Sequence, residues 1–235
     1  MSDDVVVELR VWQTDRVVSG LTRMATGRRH LRHAPGLRFG KLLGTGSGRT
    51  LTPRGTDLHH WALLTVWEDA TAATAAAQSS LITGWETRAA ESLRVRMRPL
   101  KSRGRWAGVD PFPVPAASAA ADRGEPWRGP VAAITRARLR PTRAMSFWRS
   151  VPPVVATLTP HPGLRFALGI GEAPVGLQGT FSLWNSEHDL TDFAYRSPAH
   201  RSAIRRTAPE RWYAEELFAR FAVTEVDGRY EGRTP

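Results

Sequence analysis

A chain of 235 residues that is 41% hydrophobic is long enough to bury a substantial core and is ordinary in composition for a globular protein. The absence of cysteine excludes disulfides, a thiolate nucleophile and cysteine-ligated metals or iron–sulfur clusters, so any metal must be held by His, Asp, Glu or Tyr. The net charge of +11 invites a nucleic-acid reading, yet only Lys41 and Lys101 are lysines, and an arginine bias with abundant Ala, Gly and Pro is what GC-rich coding produces whatever the role.

Residues 5–12 form the first β-type run, and a helical stretch follows. Pro35-Gly36 punctuates the chain ahead of a strand that opens on Leu37-Arg38-Phe39. Residues 44–55 are too rich in Gly, Ser, Thr and Pro to sustain a helix or a long central strand, and predict a loop. A strand over 61–67 ends in Trp67, after which Glu68-Asp69 can cap a helix. An alternating strand over 94–100 belongs to the densest basic cluster, Arg94, Arg96, Arg98, Lys101, Arg103 and Arg105, which reads as one solvated strand face and not as a nucleic-acid site.

Residues 110–130, rich in Pro, Ala and Gly, read as a linker. Beyond them lies a strand over 131–139, then a helix in which Met145, Trp148, Val151 and Val155 predict a buried stripe that Pro152-Pro153 must bend or restart. The turn at Pro162-Gly163, a strand from Leu164, a strand over 179–184, a capping Asn185-Ser186-Glu187 and a last strand over 218–226 complete the series. No run of about eighteen apolar residues could span a bilayer, and the N-terminus lacks a signal-peptide pattern, which makes the cytoplasm the expected compartment.

The second series repeats the first. Pro35-Gly36-Leu37-Arg38-Phe39 returns as Pro162-Gly163-Leu164-Arg165-Phe166, and Leu64-Thr65-Val66-Trp67 returns as Phe181-Ser182-Leu183-Trp184, in the same order, which is the mark of a tandem duplication. The prolines are displaced by 127 residues and the tryptophans by 117, so the first copy carries ten extra residues in its glycine-rich loop. Trp106-Ala107-Gly108 against Tyr230-Glu231-Gly232 extends the match to the end of each copy. Each copy reads β-α-β-β-α-β, the ferredoxin-like order, with helices on one face of its sheet only. Two such sheets can cover each other's bare face. The expected fold is therefore α+β, with tandem duplicated ferredoxin-like units forming an intramolecular dimeric α+β barrel. Its expected divisions are a degenerate first repeat over 1–109, the linker over 110–130, and a second repeat over 131–235 that holds the active half.

Function is expected where the copies differ. Tyr195, Ser197 and His200 of the second copy stand where the first has Gln78, Ser80 and Thr83, so the aromatic and the imidazole belong to one half only. Pro198 suits a first helical turn and places His200 just inside a helix, with Arg201 and Arg205 on adjacent faces. The imidazole there can ligate iron, transfer a proton or tie the helix to a loop by a plain hydrogen bond, and Tyr195 is its companion catalytic candidate. The other histidines are weaker candidates. His59 and His60, adjacent on a strand, point to opposite sides; His30 and His33 sit among arginines at a basic helix end; His161 reads as a turn residue; and His188 starts a helix. Trp184, Phe166, Phe181, Phe193, Trp212 and their aromatic neighbours make the second half rich enough to wall a large apolar pocket. The glycine-rich segments precede strands and not helices, so neither reads as a dinucleotide or phosphate loop, and no hydrolytic triad motif is present.

Residues 147–152 and 162–174, the run Gln178-Gly179-Thr180-Phe181-Ser182-Leu183-Trp184, residues 193–200 and residues 212–221 together resemble the spheroidene monooxygenase family. The likeness is dense in the second half and thin in the first. It implies a haem-dependent monooxygenase that inserts oxygen into an acyclic carotenoid or similar apolar polyene. It also implies O2 as co-substrate and an external reductant such as ferredoxin. By that analogy His200 is the axial iron ligand, and Arg165, Arg201 and Arg205 pair with haem propionates while Trp184 helps wall the cofactor. No nucleic-acid partner is expected. An apolar substrate partitions into lipid, so contact with the inner membrane face is an expectation as well. The same frame also occurs in cofactor-free oxygenases and in non-catalytic binders of apolar metabolites, which form the competing reading.

Overall fold

Val6–Gln13 (β1) alternates two kinds of buried residue, with Val7, Leu9 and Val11 on one face and Glu8, Arg10 and Trp12 on the other. A strand buried on both sides needs a cover on each. The computed structural model, which describes residues 5–46, 55–114, 126–158, 161–172, 179–196 and 198–235, supplies both.

The first half continues with Val17–Arg32 (α1), Leu37–Gly46 (β2), Thr56–Trp67 (β3), Ala70–Ala76 (α2), Ser80–Glu86 (α3) and Glu91–Gly104 (β4). The second half runs Val131–Leu139 (β5), Ala144–Leu158 (α4), Leu164–Gly171 (β6), Gly179–Trp184 (β7), Glu187–Arg196 (α5), Pro198–Glu210 (α6) and Tyr213–Gly228 (β8). Side-chain caps start the short helices: Asp69 accepts from the Ala72 N–H and Ser79 from the Ile82 N–H.

All eight strands close into one barrel in the order β1-β3-β2-β6-β7-β5-β8-β4, with antiparallel neighbours throughout. The halves meet at a long seam, β4 against β8 from Leu93↔Gly228 to Gly104↔Leu217, and at a short one, Gly44↔Gly171 to Gly46↔Gly169 between β2 and β6. The barrel is filled, not hollow: Val7, Leu9, Leu64, Val95, Leu168 and Phe181 belong to one continuous apolar core. The helices pack outside, over separate cores centred on Trp12, Trp61 and Trp85 in the first half and on Trp184 and Phe193 in the second. This is the dimeric α+β barrel, built within one chain.

Three local expectations change. Strand β2 runs on into the glycine stretch as far as Gly46, because it pairs there with β6 at the seam; residues 47–54 lie outside the described ones. Helix α4 continues through Pro152 and Pro153, whose exposed positions leave water to serve the carbonyls that two missing N–H groups would have bonded. Met145 is 61% exposed, so it does not join the predicted stripe, and the side chains of Val151 and Val155 lie outside the described residues.

Part of the basic strand face is neutralised internally, while Lys101, Arg103 and Arg105 are exposed. Arg94 pairs with Glu225 and Asp227, Arg96 pairs with Glu8 and Glu225, and Arg98 lies over the Trp127 ring. Cations already held by carboxylates across the β1–β4–β8 seam are not a free surface for phosphate.

Candidate functional site

The helix that carries His200 is fastened to its neighbour α4 and to the start of β8 by a polar chain. The Trp212 indole donates to Ser146 Oγ at 3.1 Å, and Ser146 donates to Glu210 at 3.1 Å, which joins the start of α4 to the end of α6. Arg206 lies over the Trp212 ring and also bonds Glu210; bonds from Arg206 and Ser146 hold that carboxyl below its ordinary range. Tyr213, half-buried and hydrogen-bonded to Thr207, has its phenol pushed up to about 12, chiefly by desolvation.

Helix α6 begins at Pro198, as its fixed φ favours, and His200 falls in its first turn; the His200 side chain and Ser197 lie outside the described residues. Arg201 and Arg205 are exposed and make no ion pair among the described residues. Tyr195, near the end of α5, is 57% exposed. Arg165 is exposed and donates to the Pro235 carbonyl at 2.5 Å, which holds it at the chain's end. Trp184 is buried, and its indole donates to Ser182 Oγ at 2.9 Å. The structure therefore separates the expected set into a buried Trp184 and exposed side chains of Tyr195, Arg165, Arg201 and Arg205.

Trp184 instead meets two residues of which sequence reasoning made little. His161 stands edge-on to its ring at 5.3 Å and Phe193 packs on it, also at 5.3 Å. The imidazole is hydrogen-bonded on one side, where Nδ1 accepts from the Gly163 N–H at 3.1 Å, while Nε2 faces Asp192 at 3.6 Å. His188 is exposed, as expected of a residue in the first turn of α5.

Over the matching tryptophan of the first half the space is open. A cleft of about 540 Å³ lies between the end of α1 and helices α2 and α3, with Thr65 and Trp67 at its base and Arg29, His30 and His33 at its rim. This volume falls within the range of small-molecule sites. Sequence reading placed His30 and His33 at a solvated helix end, where they are, but gave no sign of the cleft beside them.

A second polar centre also escaped sequence reading. Arg136 projects from β5 among inward-facing residues and is 4% exposed. Its guanidinium pairs with Glu215 and, at 2.7 Å, with Glu172, and it stacks on Trp106. Glu172 also accepts from the Trp106 indole at 2.7 Å and from Lys41 at 2.9 Å. Burial opposes ionisation of Glu172, but the bonds from Lys41 and Trp106 and the charges of Lys41 and Arg136 outweigh it and hold its carboxyl below the ordinary range. His59 and His60 do face opposite ways: His59 is exposed, while His60 is buried and bonded to Asp57 at 2.6 Å. Among the described residues no three His, Asp or Glu side chains gather as a metal site, and no helix is long and apolar enough to cross a membrane.

No family profile matches the chain. It is 35% identical over 217 residues to a spheroidene monooxygenase of Rhodobacter capsulatus, covering 92% of this chain and 87% of that protein. It is 37% identical to a spheroidene monooxygenase of Rubrivivax gelatinosus, covering 98% of this chain and 83% of that one. A third spheroidene monooxygenase, from Cereibacter sphaeroides, is 33% identical, and the chain spans 64% of its length. Among solved structures, an aldoxime dehydratase superposes with a TM-score of 0.57 at 12% identity over 94% of this chain and 82% of that one. A butyraldoxime complex of the aldoxime dehydratase OxdRE gives 0.56 at 13% identity over 94% and 79%. At such identities these two likenesses speak for the fold alone.

Proposed function

The chain belongs to the spheroidene monooxygenase family and is a monooxygenase, and from that premise we propose that it inserts oxygen into an acyclic carotenoid or similar apolar polyene with haem as cofactor. The single observation that carries this reading is identity of 35% over 92% of the chain to a protein of that name. A monooxygenase places one oxygen atom of O2 in its product and releases the other as water, so two electrons and two protons must arrive from an external reductant, for which ferredoxin is our proposal. Bound haem would supply O2 activation, which no side chain of this protein provides.

The donor chemistry fits that group at α6. With no thiolate available, iron must take an imidazole or phenolate, and His200 stands in a turn followed by the exposed Arg201 and Arg205, which make no ion pair among the described residues. Those guanidiniums would receive the propionates, with Arg165 further off at the chain's end. His161 fits less well as ligand, since its Nδ1 is taken up by the Gly163 N–H and its ring is packed against Trp184 and Phe193. Tyr195, exposed near the same helix junction, would contact the polyene or carry a proton. The exposed Tyr195 and neighbouring arginines also support peripheral contact with the inner membrane face.

An absorption spectrum of the purified protein tests the cofactor. A Soret band that disappears in His200→Ala is the expected result. A protein that oxygenates its substrate while colourless would instead establish the cofactor-free reading, which the filled space over Trp184 favours. We further propose that the halves descend from one duplicated unit with divisions at 1–109, 110–130 and 131–235. Two matching turns support it: Ala107-Gly108 and Glu231-Gly232 have positive φ at both central residues and close the same kind of bridge, Trp106↔Val109 and Tyr230↔Arg233.

A further inference from the structure

We propose that the cleft over Trp67 is a second ligand site, distinct from the haem and polyene site assigned to the second half, and that it takes an amphipathic carboxylate with a fatty-acid-like tail. Its base is already satisfied internally. The Trp67 indole donates to Thr65 Oγ1 at 2.9 Å, and Ser79 Oγ caps the Ile82 N–H. The base therefore offers little to a polar ligand, while Leu31, Trp67, Leu81 and Ile82 offer apolar surface.

The rim is of opposite character. Arg29, His30 and His33 are exposed and have no acid partner among the described residues. The acid at this lip is Glu68, whose carboxylate lies against Gly36, beyond Pro35. An apolar tail below and an anionic head at Arg29 and His33 satisfy both parts, whereas a wholly apolar ligand would leave the cations unused and a nucleotide would bury phosphate against tryptophan.

The cleft is a property of this half. Ala76 lies as far beyond Trp67 as Phe193 lies beyond Trp184, and Ala34 precedes its Pro-Gly turn as His161 precedes the other. In the second half that imidazole and phenyl ring occupy the corresponding space; in the first, two alanines leave it empty.

Calorimetric titration with dodecanoate and with dodecanol tests the proposal on the whole chain. Dodecanoate is expected to saturate one site. The double substitution Arg29→Gln/His33→Gln should weaken it about ten-fold and leave dodecanol unchanged. Ala76→Phe, which restores the ring of the other half, should abolish binding of both, with Ala75→Phe at an exposed position serving if the first variant melts early. Dodecanoate bound no more tightly than dodecanol, indifference to the rim substitutions, or binding that survives the filled cleft would each overturn the assignment.

Discussion

Two tryptophans hold equivalent places in the barrel, and their surroundings differ. Trp67 ends β3 and Trp184 ends β7, in each case the second strand after a Pro-Gly turn, and each indole donates to a hydroxyl two residues earlier, at Thr65 and Ser182. The backbone around them matches as well: the Glu68 N–H bonds the Gly36 carbonyl and the Asn185 N–H bonds the Gly163 carbonyl, both at 2.9 Å. Above Trp184 the space is packed with His161 and Phe193; above Trp67 it is open. A shared frame therefore does not decide where a ligand can enter. One or two side chains facing the ring decide it.

The two mouths of the barrel repeat the lesson with charge. One is plugged by Trp106 and the other by Tyr230, each packed edge-on against a phenylalanine, Phe39 or Phe166. Behind Trp106 stand Arg136, Glu172, Glu215 and Lys41; behind Tyr230, the inward position of β1 that corresponds to Arg136 is Val11. Arg136→Val would make the mouths alike and is expected to have the largest effect. Removing one partner of a buried ion pair leaves Glu172 and Glu215 without their shared cation, which costs about 3 kcal/mol or more, readable as a lower urea midpoint. An unchanged midpoint would show that the charged mouth is no more demanding than the apolar one.

Phe193→Ala attacks the other difference. It would open over Trp184 the kind of space that exists over Trp67, at a cost of about 3 kcal/mol in lost burial and cavity formation. Urea unfolding measures the loss, and dodecanoate titration asks whether the new space binds. Because Asp192 lies near the cavity and the cations of α1 have no counterpart there, the opened site should bind dodecanol better than dodecanoate.

Much of this frame was legible in the residues. Alternation and Pro-Gly punctuation marked the strands, and β5 and β7 begin and end where composition placed them. The long strands were underestimated. β4 and β8 extend beyond the predicted bounds through charged and polar residues such as Lys101, Arg103 and Asp227, whose strand state is fixed by pairing across the seam and not by hydrophobicity. The cleft and the Arg136 centre were illegible for a different reason. An alanine announces no cavity until the residue that could have filled it is known, and a lone arginine in a strand of a chain this basic gives no sign of facing inward.

Acid should weaken the charged mouth, with the smallest of these effects. Glu172 has its folded pKa depressed, so its contribution is fully present above its ordinary value of 4.5 and is lost as pH falls through the lower folded value. Asp57 at the opposite mouth is depressed too, chiefly by its bond to His60, so acid weakens both mouths and the wild-type curve alone does not separate them. The difference between wild type and Glu172→Gln does. That difference should be about 2–4 °C in Tm near pH 6, the shift expected for roughly 1 kcal/mol in a chain of this size, and should shrink below pH 4.5 and vanish once Glu172 is protonated. A difference that persists in acid would mean that Glu172 acts by packing against Trp106 and not by its charge, and the contrast between the mouths would then be one of shape.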